Sequence, residues 1–199
     1  TAMGKPNPQT TPRHRFVTPI DRQGLRSTLL WFLVPFSLFL LIAGLVLWQS
    51  NDLKELHLSF QGLHSIPLDY TFKAITFLGD GIFVGIIALL LLLFVHLRAG
   101  LFLLTASVID SVVVQYLKRQ VFADHFRPIH YFRDNPDLIK VPGVEMHQNF
   151  SFPSGHTAAA FCLYFALALI VRRKIPALLF FVVALLVGYS RIYLNQHFL

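Results

Sequence analysis

The run from Leu29 to Gln49 carries no charged residue and is bracketed by Trp31 and Trp48. A helix needs about 20 such residues to cross the hydrocarbon core of a bilayer, and tryptophan favours both of its polar boundaries. Inside lipid every backbone N–H and C=O must find its partner within the protein, which leaves only helices or closed barrels. Further apolar runs follow at about Ala74 to Leu97, Leu101 to Leu117, from the end of Phe152-Pro153-Ser154-Gly155-His156-Thr157 to Val171, and Ile175 to Tyr189. The predicted fold is therefore all-α, a polytopic membrane helical bundle with five transmembrane helices. Composition agrees. Of the 199 residues 55% are hydrophobic and only 14% charged, with a mean hydropathy of +0.59, where a soluble domain carries about 25% charged residues.

The connecting segments divide the chain into a basic tail, 1–27, and a membrane domain, 28–199. The tail holds Lys5, Arg13, Arg15, Arg22 and Arg26 against Asp21 alone and reads as a cytoplasmic orientation signal. Over 50–73, Leu53, Leu56, Phe60, Leu63 and Ile66 recur at spacings of three and four. That pattern predicts a short helix lying along the membrane interface with these residues on one face. Asp80 sits between two glycines near the start of the second run, where a structural hydrogen-bonding role is expected of it. Ser107, Ser111 and Gln115 lie four apart with Asp110 beside them, so one face of the third helix turns to protein or water rather than lipid. Cys162 is the only cysteine, which excludes an intrachain disulfide and a cysteine-based zinc cluster. The histidines at 125, 130 and 147 fit no standard metal-ligand spacing and read as solvated or hydrogen-bonded loop residues.

The net charge of +7 is better explained by membrane loops than by nucleic acid, because the basic residues fall between apolar runs. With the amino terminus cytoplasmic, the tail, Arg98 and Arg172-Arg173-Lys174 all lie inside. The long loop 119–152 and the segment from Ser190 to Leu199 then lie outside. That loop region is also basic, with Lys118, Arg119, Arg127, Arg133 and Lys140. An anionic ligand at the outer face accounts for this break in the charge bias.

The residues gathered on that face suit phosphate chemistry. Lys118, Arg127 and Arg191 can bind phosphate oxygens, arginine by its planar fork. At Pro153-Ser154-Gly155-His156 a polar loop becomes an apolar helix. Proline suits a first helical position, and the free N–H groups there, with the Ser154 hydroxyl, form a cradle for an anion. His156 and His197 arrive from different segments. One can attack phosphorus to give a phosphohistidine while the other donates the leaving-group proton.

These three segments resemble the signature of the type 2 phosphatidic acid phosphatase superfamily, whose pattern is KxxxxxxRP, then PSGH, then SRxxxxxHxxxD. The second motif stands as Pro153-Ser154-Gly155-His156 and the third as Ser190-Arg191-Ile192-Tyr193-Leu194-Asn195-Gln196-His197. The resemblance covers about Tyr116 to the end of the chain. It implies His197 as nucleophile, His156 as general acid, and Lys118, Arg127 and Arg191 as the phosphate clamp assisted by Ser154 and Gly155. It implies no metal and no cofactor. Two features depart from the pattern. Lys118 stands further from Arg127 than the first motif requires, with Gln120 at the strict position, so either Lys118 or Arg119 fills that role. The last residue, Leu199, comes before the aspartate that should orient His197 and before an expected sixth helix.

The function expected is that of an integral membrane lipid phosphatase acting at the outer face of a bacterial-type inner membrane. Undecaprenyl diphosphate, phosphatidylglycerol phosphate and phosphatidate are the substrate types it suggests. A lipid phosphotransferase with the same site is the alternative. A transporter using Asp80 and Asp110 as an intramembrane relay, or a non-catalytic phospholipid-binding protein, would be a different class. The oligomeric state is not legible.

Overall fold

A computed structural model describes residues 22–50 and 52–199, so the tail expected over 1–27 lies outside the described residues as far as 21. Those described are helical or loop, with no strand among them. The helices are α1 (Arg22–Gln49), α2 (Leu53–Ser59), α3 (Ile66–Phe77), α4 (Gly81–Leu90), α5 (Leu97–Tyr116), the single turn α6 (Pro128–Tyr131), α7 (Gly155–Val171) and α8 (Lys174–Tyr193). π-helical turns extend α4 over Leu91–Val95 and α5 over Leu117–Val121. By length and composition, α1, the extended α5 (Leu97–Val121) and α8 can cross a membrane, and α3 with α4 makes a fourth crossing if the bent pair counts as one. α7, with 17 residues, is short for a span.

The core is a hairpin of α7 and α8, and small residues are the reason it is tight. Ala160, Ala166 and Ala168 on α7 and Ala177 and Ala184 on α8 are buried, and such side chains let helix backbones approach closely. Arg172 takes a left-handed conformation (φ 53°) that closes α7, its N–H donating to the Ala168 carbonyl at 2.9 Å. α1 leans on this hairpin through Phe32, whose ring lies 4.9 Å from Phe165 and 5.8 Å from Phe181. The rest of α1 displays leucine, isoleucine and valine outward, as a lipid-facing helix must.

Three expectations are corrected. The second apolar run is not one helix from Ala74 to Leu97, because the chain breaks at Leu78–Asp80 and α3 and α4 meet at 54°. Gly79 and Asp80 cause the break: Asp80 caps α4 by accepting the Ile82 N–H at 2.8 Å. The expected interfacial helix is a pair, α2 and a 3₁₀ turn over Phe60–Leu63, with Ile66 beginning α3. Leu53, Leu63 and Ile66 point outward, whereas His57 and Gln61 are buried. Finally, α8 does not stop at Tyr189; it runs on through Ser190, Arg191, Ile192 and Tyr193, all buried.

The break between α3 and α4 packs directly on the start of α7. A Cβ on Gly79 would lie 2.6 Å from the His156 carbonyl oxygen and 2.6 Å from Val187 Cγ1. Gly79→Ala is therefore expected to lower the thermal unfolding midpoint in detergent, at an overpacking cost of about 1–3 kcal/mol. An unchanged midpoint would mean that this contact is loose.

Candidate active site

Four chain segments end at the same place: the bend between α3 and α4, the C-terminal turn of α5, the start of α7 and the end of α8. Each delivers polar groups for a local reason. The last turn of α5 widens into a π-helical turn, with the Phe122 N–H bonded to the Leu117 carbonyl at 2.8 Å. Such a turn takes up an extra residue in a helix, and here it carries the lysine of the over-long first motif. The Lys118 ammonium lies 3.7 Å from where a Cβ on Gly155 would sit. Arg119 is exposed on the outside of the same turn. The geometry thus brings Lys118, rather than Arg119, to the start of α7.

α7 begins at Gly155, and Ser154 is its N-cap, the Ser154 Oγ accepting the Thr157 N–H at 3.4 Å. Pro153 consequently stands before the helix, not at its first position, because the serine takes the capping role. The N–H groups of Gly155 and His156 in that first turn have no intrahelical partner to seek, and the Ser154 O–H is still free to donate. His156 Nε2 faces Asp80 Oδ2 at 3.4 Å. Asp80 therefore does two things, capping α4 and pairing with His156.

Arg127 comes from the long loop 119–152. Stretches 125–127 and 148–151 run side by side, joined by Arg127 N–H to the Gln148 carbonyl (2.8 Å) and Ser151 N–H to the His125 carbonyl (2.8 Å). The guanidinium donates from Nε to the Asn149 carbonyl at 2.9 Å and from Nη1 to Gln196 Oε1 at 2.8 Å. Arg191, buried in the last turn of α8, donates from Nη1 to Thr76 Oγ1 at 2.8 Å. Its Nε is buried with no hydrogen-bond partner among the described residues, a donor suited to a bound ligand.

His197 is 4% exposed, and its Nδ1 is hydrogen-bonded to the Ser151 carbonyl. A carbonyl only accepts, so Nδ1 carries the proton and Nε2 keeps its lone pair. Burial, with Arg127, Arg191 and Lys118 close by, holds this imidazole well below the ordinary histidine value of 6.5. It is neutral at physiological pH. The same three cations also lie within electrostatic reach of His156. All seven residues singled out from the sequence, Lys118, Arg127, Ser154, Gly155, His156, Arg191 and His197, thus fall in one region.

The sequence did not reveal the supporting residues. Asp80 carries a structural expectation, with a membrane relay as its other reading, and neither names His156 as its partner; Thr76 and the Ser151 carbonyl belong to no motif, and Gln196 fills only a variable position of one. So does Asn195, which has a left-handed backbone (φ 55°) and a buried amide. Its Oδ1 accepts from Gln61 at 2.9 Å and meets His57 Nε2 at 2.8 Å, while its Nδ2 donates to the Ile139 carbonyl at 2.7 Å. Burial pushes the His57 imidazole down, so it too is held neutral. His130 stacks on Phe126 at 4.1 Å and His147 lies 3.8 Å from Glu145. Among the described residues no three His, Cys, Asp or Glu side chains gather as a metal site.

The family model of the PAP2 superfamily matches residues 98–199, more than half of the chain. The chain belongs to the PAP2 superfamily. The match contains every residue of the cluster except those of α3 and the α3–α4 bend, Thr76 and Asp80. The membership gives the chain a phosphatase chemistry on phosphate esters. No curated protein and no solved structure matches it.

The Asn195 network fixes the turn that carries Gln196 and His197. Asn195→Ala would strand the buried Nε2 groups of His57 and Gln61, which share Asn195 Oδ1, at about 1–3 kcal/mol for each, while Gln61 Oε1 keeps the Ile139 N–H. The expected result is a lower unfolding midpoint together with a drop in phosphate release. A variant with full activity would remove Asn195 from the positioning of His197.

Proposed function

We propose that this PAP2 superfamily member is an integral membrane lipid phosphatase that hydrolyses the phosphate head group of a lipid through a phosphohistidine on His197. One observation carries the reading. Lys118, Arg127 and Arg191 converge on two histidines, and among the described residues no carboxylate lies within ion-pair distance of any of the three. Three unneutralised cations in a partly desolvated site call for an anion.

In the proposed reaction Lys118, the free donors of Arg127 and Arg191, the Ser154 hydroxyl and the α7 N-terminus hold the phosphoryl oxygens. His197 Nε2 attacks phosphorus as the bond to the lipid oxygen breaks, and His156 gives that oxygen its proton. Asp80 holds the His156 ring in place and offsets the surrounding positive charge. Water, giving its proton back to His156, then attacks phosphorus. The P–N bond breaks and inorganic phosphate leaves.

The membrane setting follows from the apolar helices. α1, the α3–α4 pair, α5, α7 and α8 are proposed as five crossings of a bacterial-type inner membrane, with the amino terminus cytoplasmic and the site at the outer face. A short α7 suits that placement, since its polar start meets the head group while the lipid chain stays in the bilayer. The first substrate types to try are phosphatidate, phosphatidylglycerol phosphate and undecaprenyl diphosphate.

The test is phosphate release by purified protein in mixed micelles. His197→Ala and His156→Ala should each lose at least about 10²-fold in kcat, the scale of a single acid–base or nucleophilic contribution, with unchanged unfolding midpoints. Because His197 resists protonation, activity should persist as pH falls through 6.5 and fail only below it. Full activity in both variants would overturn the assignment.

A further inference from the structure

The turn that carries His197 closes α8 upon itself. The Asn195 N–H donates to the Ile192 carbonyl at 3.0 Å, and the Gln196 and His197 N–H groups donate to the Arg191 carbonyl at 2.9 and 3.1 Å. With a left-handed residue at 195 this is the Schellman closure of a helix, asparagine standing where glycine is usual. The Ser151 carbonyl holds the His197 ring from one side. Where its backbone stands is set by the last turn of α8, and helix ends fray unless something holds them.

What holds this one is α3 and the segment leading into it. Arg191 Nη1 donates to Thr76 Oγ1, the Tyr193 O–H donates to Asp69 Oδ1 at 2.7 Å, and Asn195 is bonded to Gln61 and His57. Residues 76, 69 and 61 thus meet 191, 193 and 195 in order, the two segments running in opposite directions. The middle contact has no part in the phosphate chemistry. Tyr193 is buried, its ring stacked on His64 at 4.1 Å and tilted against Phe72 at 4.4 Å, and its oxygen also accepts the Ser65 N–H at 3.3 Å. Asp69 Oδ1 meets His64 Nδ1 at 3.1 Å as well. A hydrogen bond to a carboxylate is stronger than one between neutral groups, and this one ties the end of α8 to α3.

α3 also bears on the other imidazole. It ends in the bend whose Asp80 faces His156 Nε2 at 3.4 Å, and Gly79 there packs on the His156 carbonyl. One short helix therefore registers both histidines, His197 through Asp69 and Tyr193, His156 through the bend. Attack on phosphorus and protonation of the leaving oxygen need the two rings held at a set separation, and a misplacement of about 1 Å can cost 10²-fold in rate.

We propose that Asp69 is a positioning residue: by holding Tyr193 to α3 it fixes His197 relative to His156, whose partner Asp80 follows the same helix. The inference rests on the phosphatase reading above and adds to it a residue that touches neither the substrate nor either reacting histidine.

Asp69→Ala and Tyr193→Phe each remove the bond, whereas Asp69→Asn keeps an oxygen that can accept it. The full chain in mixed micelles is assayed on water-soluble p-nitrophenyl phosphate. The first two variants should lose about ten- to a hundredfold in kcat with KM within about twofold, the pattern of a misplaced nucleophile beside an intact binding site. Asp69→Asn should stay within about threefold of the unmodified protein. The double variant Asp69→Ala/Tyr193→Phe should be no slower than the worse single one, because both act on one contact. A residue that served stability alone would neither divide kcat from KM nor be rescued by the amide. Tyr193→Phe keeps the ring in its stack and carries the test if Asp69→Ala does not fold. Hydrogen exchange reads the positioning without substrate: the amides of 194–197 should exchange about tenfold or more faster in both single variants, with α7 unchanged. Unchanged kcat in both, losses that add in the double variant, or unaltered exchange at 194–197 would each overturn the proposal. The phosphatase reading is judged apart, since turnover that survives His197→Ala overturns that reading while exchange at 194–197 still decides whether Asp69 holds the turn.

Discussion

Like charges gathered out of bulk water repel, and the site is built around that cost. Arg127 and Arg191 are held by neutral acceptors: the Asn149 carbonyl, Gln196 Oε1 and Thr76 Oγ1. Carboxylates in those places would have cancelled the charge and closed the forks. Neutral partners fix the geometry and leave the field intact. The Asp80 carboxylate, close by, faces His156 instead. What results is a positive, partly dehydrated pocket whose missing component is an anion, and the packing of the bundle follows from the need to hold it.

The helices meet that need by ending together. α5 ends in the π-helical turn carrying Lys118, α7 starts at the Ser154 cap, α8 ends through Arg191, and the α3–α4 bend brings Thr76 and Asp80. The alanine-rich contact of α7 with α8 and the close approach of Gly79 to the His156 carbonyl set how near these ends can come. The loop 119–152 is packed over them. Its Ile129, Phe132 and Leu138 form a small core with Leu58, Met146 and Phe198, and Val141 joins Phe72, Tyr193 and Leu194 in another. Those clusters hold Arg127 and Ser151 beside His197.

Much of the candidate site was legible because its residues sit at helix ends, where local rules are strong. Serine before an apolar run marks a cap, and a cation or histidine just beyond a span marks a membrane face. The partners were not legible. Asp80 meets His156, and Asn195 meets His57 and Gln61, across long separations that no periodicity records. The bend at Gly79 lay hidden because a run of apolar residues looks the same straight or broken. The lysine of the first motif illustrates a third limit, since a widened helical turn shifts register without leaving a mark in composition.

The central claim is that His197 Nε2 becomes bonded to phosphorus, and it can be examined on the protein itself. Purified protein mixed with ³²P-labelled phosphatidate and quenched within one turnover, under the alkaline conditions that preserve phosphohistidine, should carry label that peptide mass spectrometry places on His197. His197→Ala should carry none. Label absent from every histidine during active turnover, or located on another residue, would contradict the account.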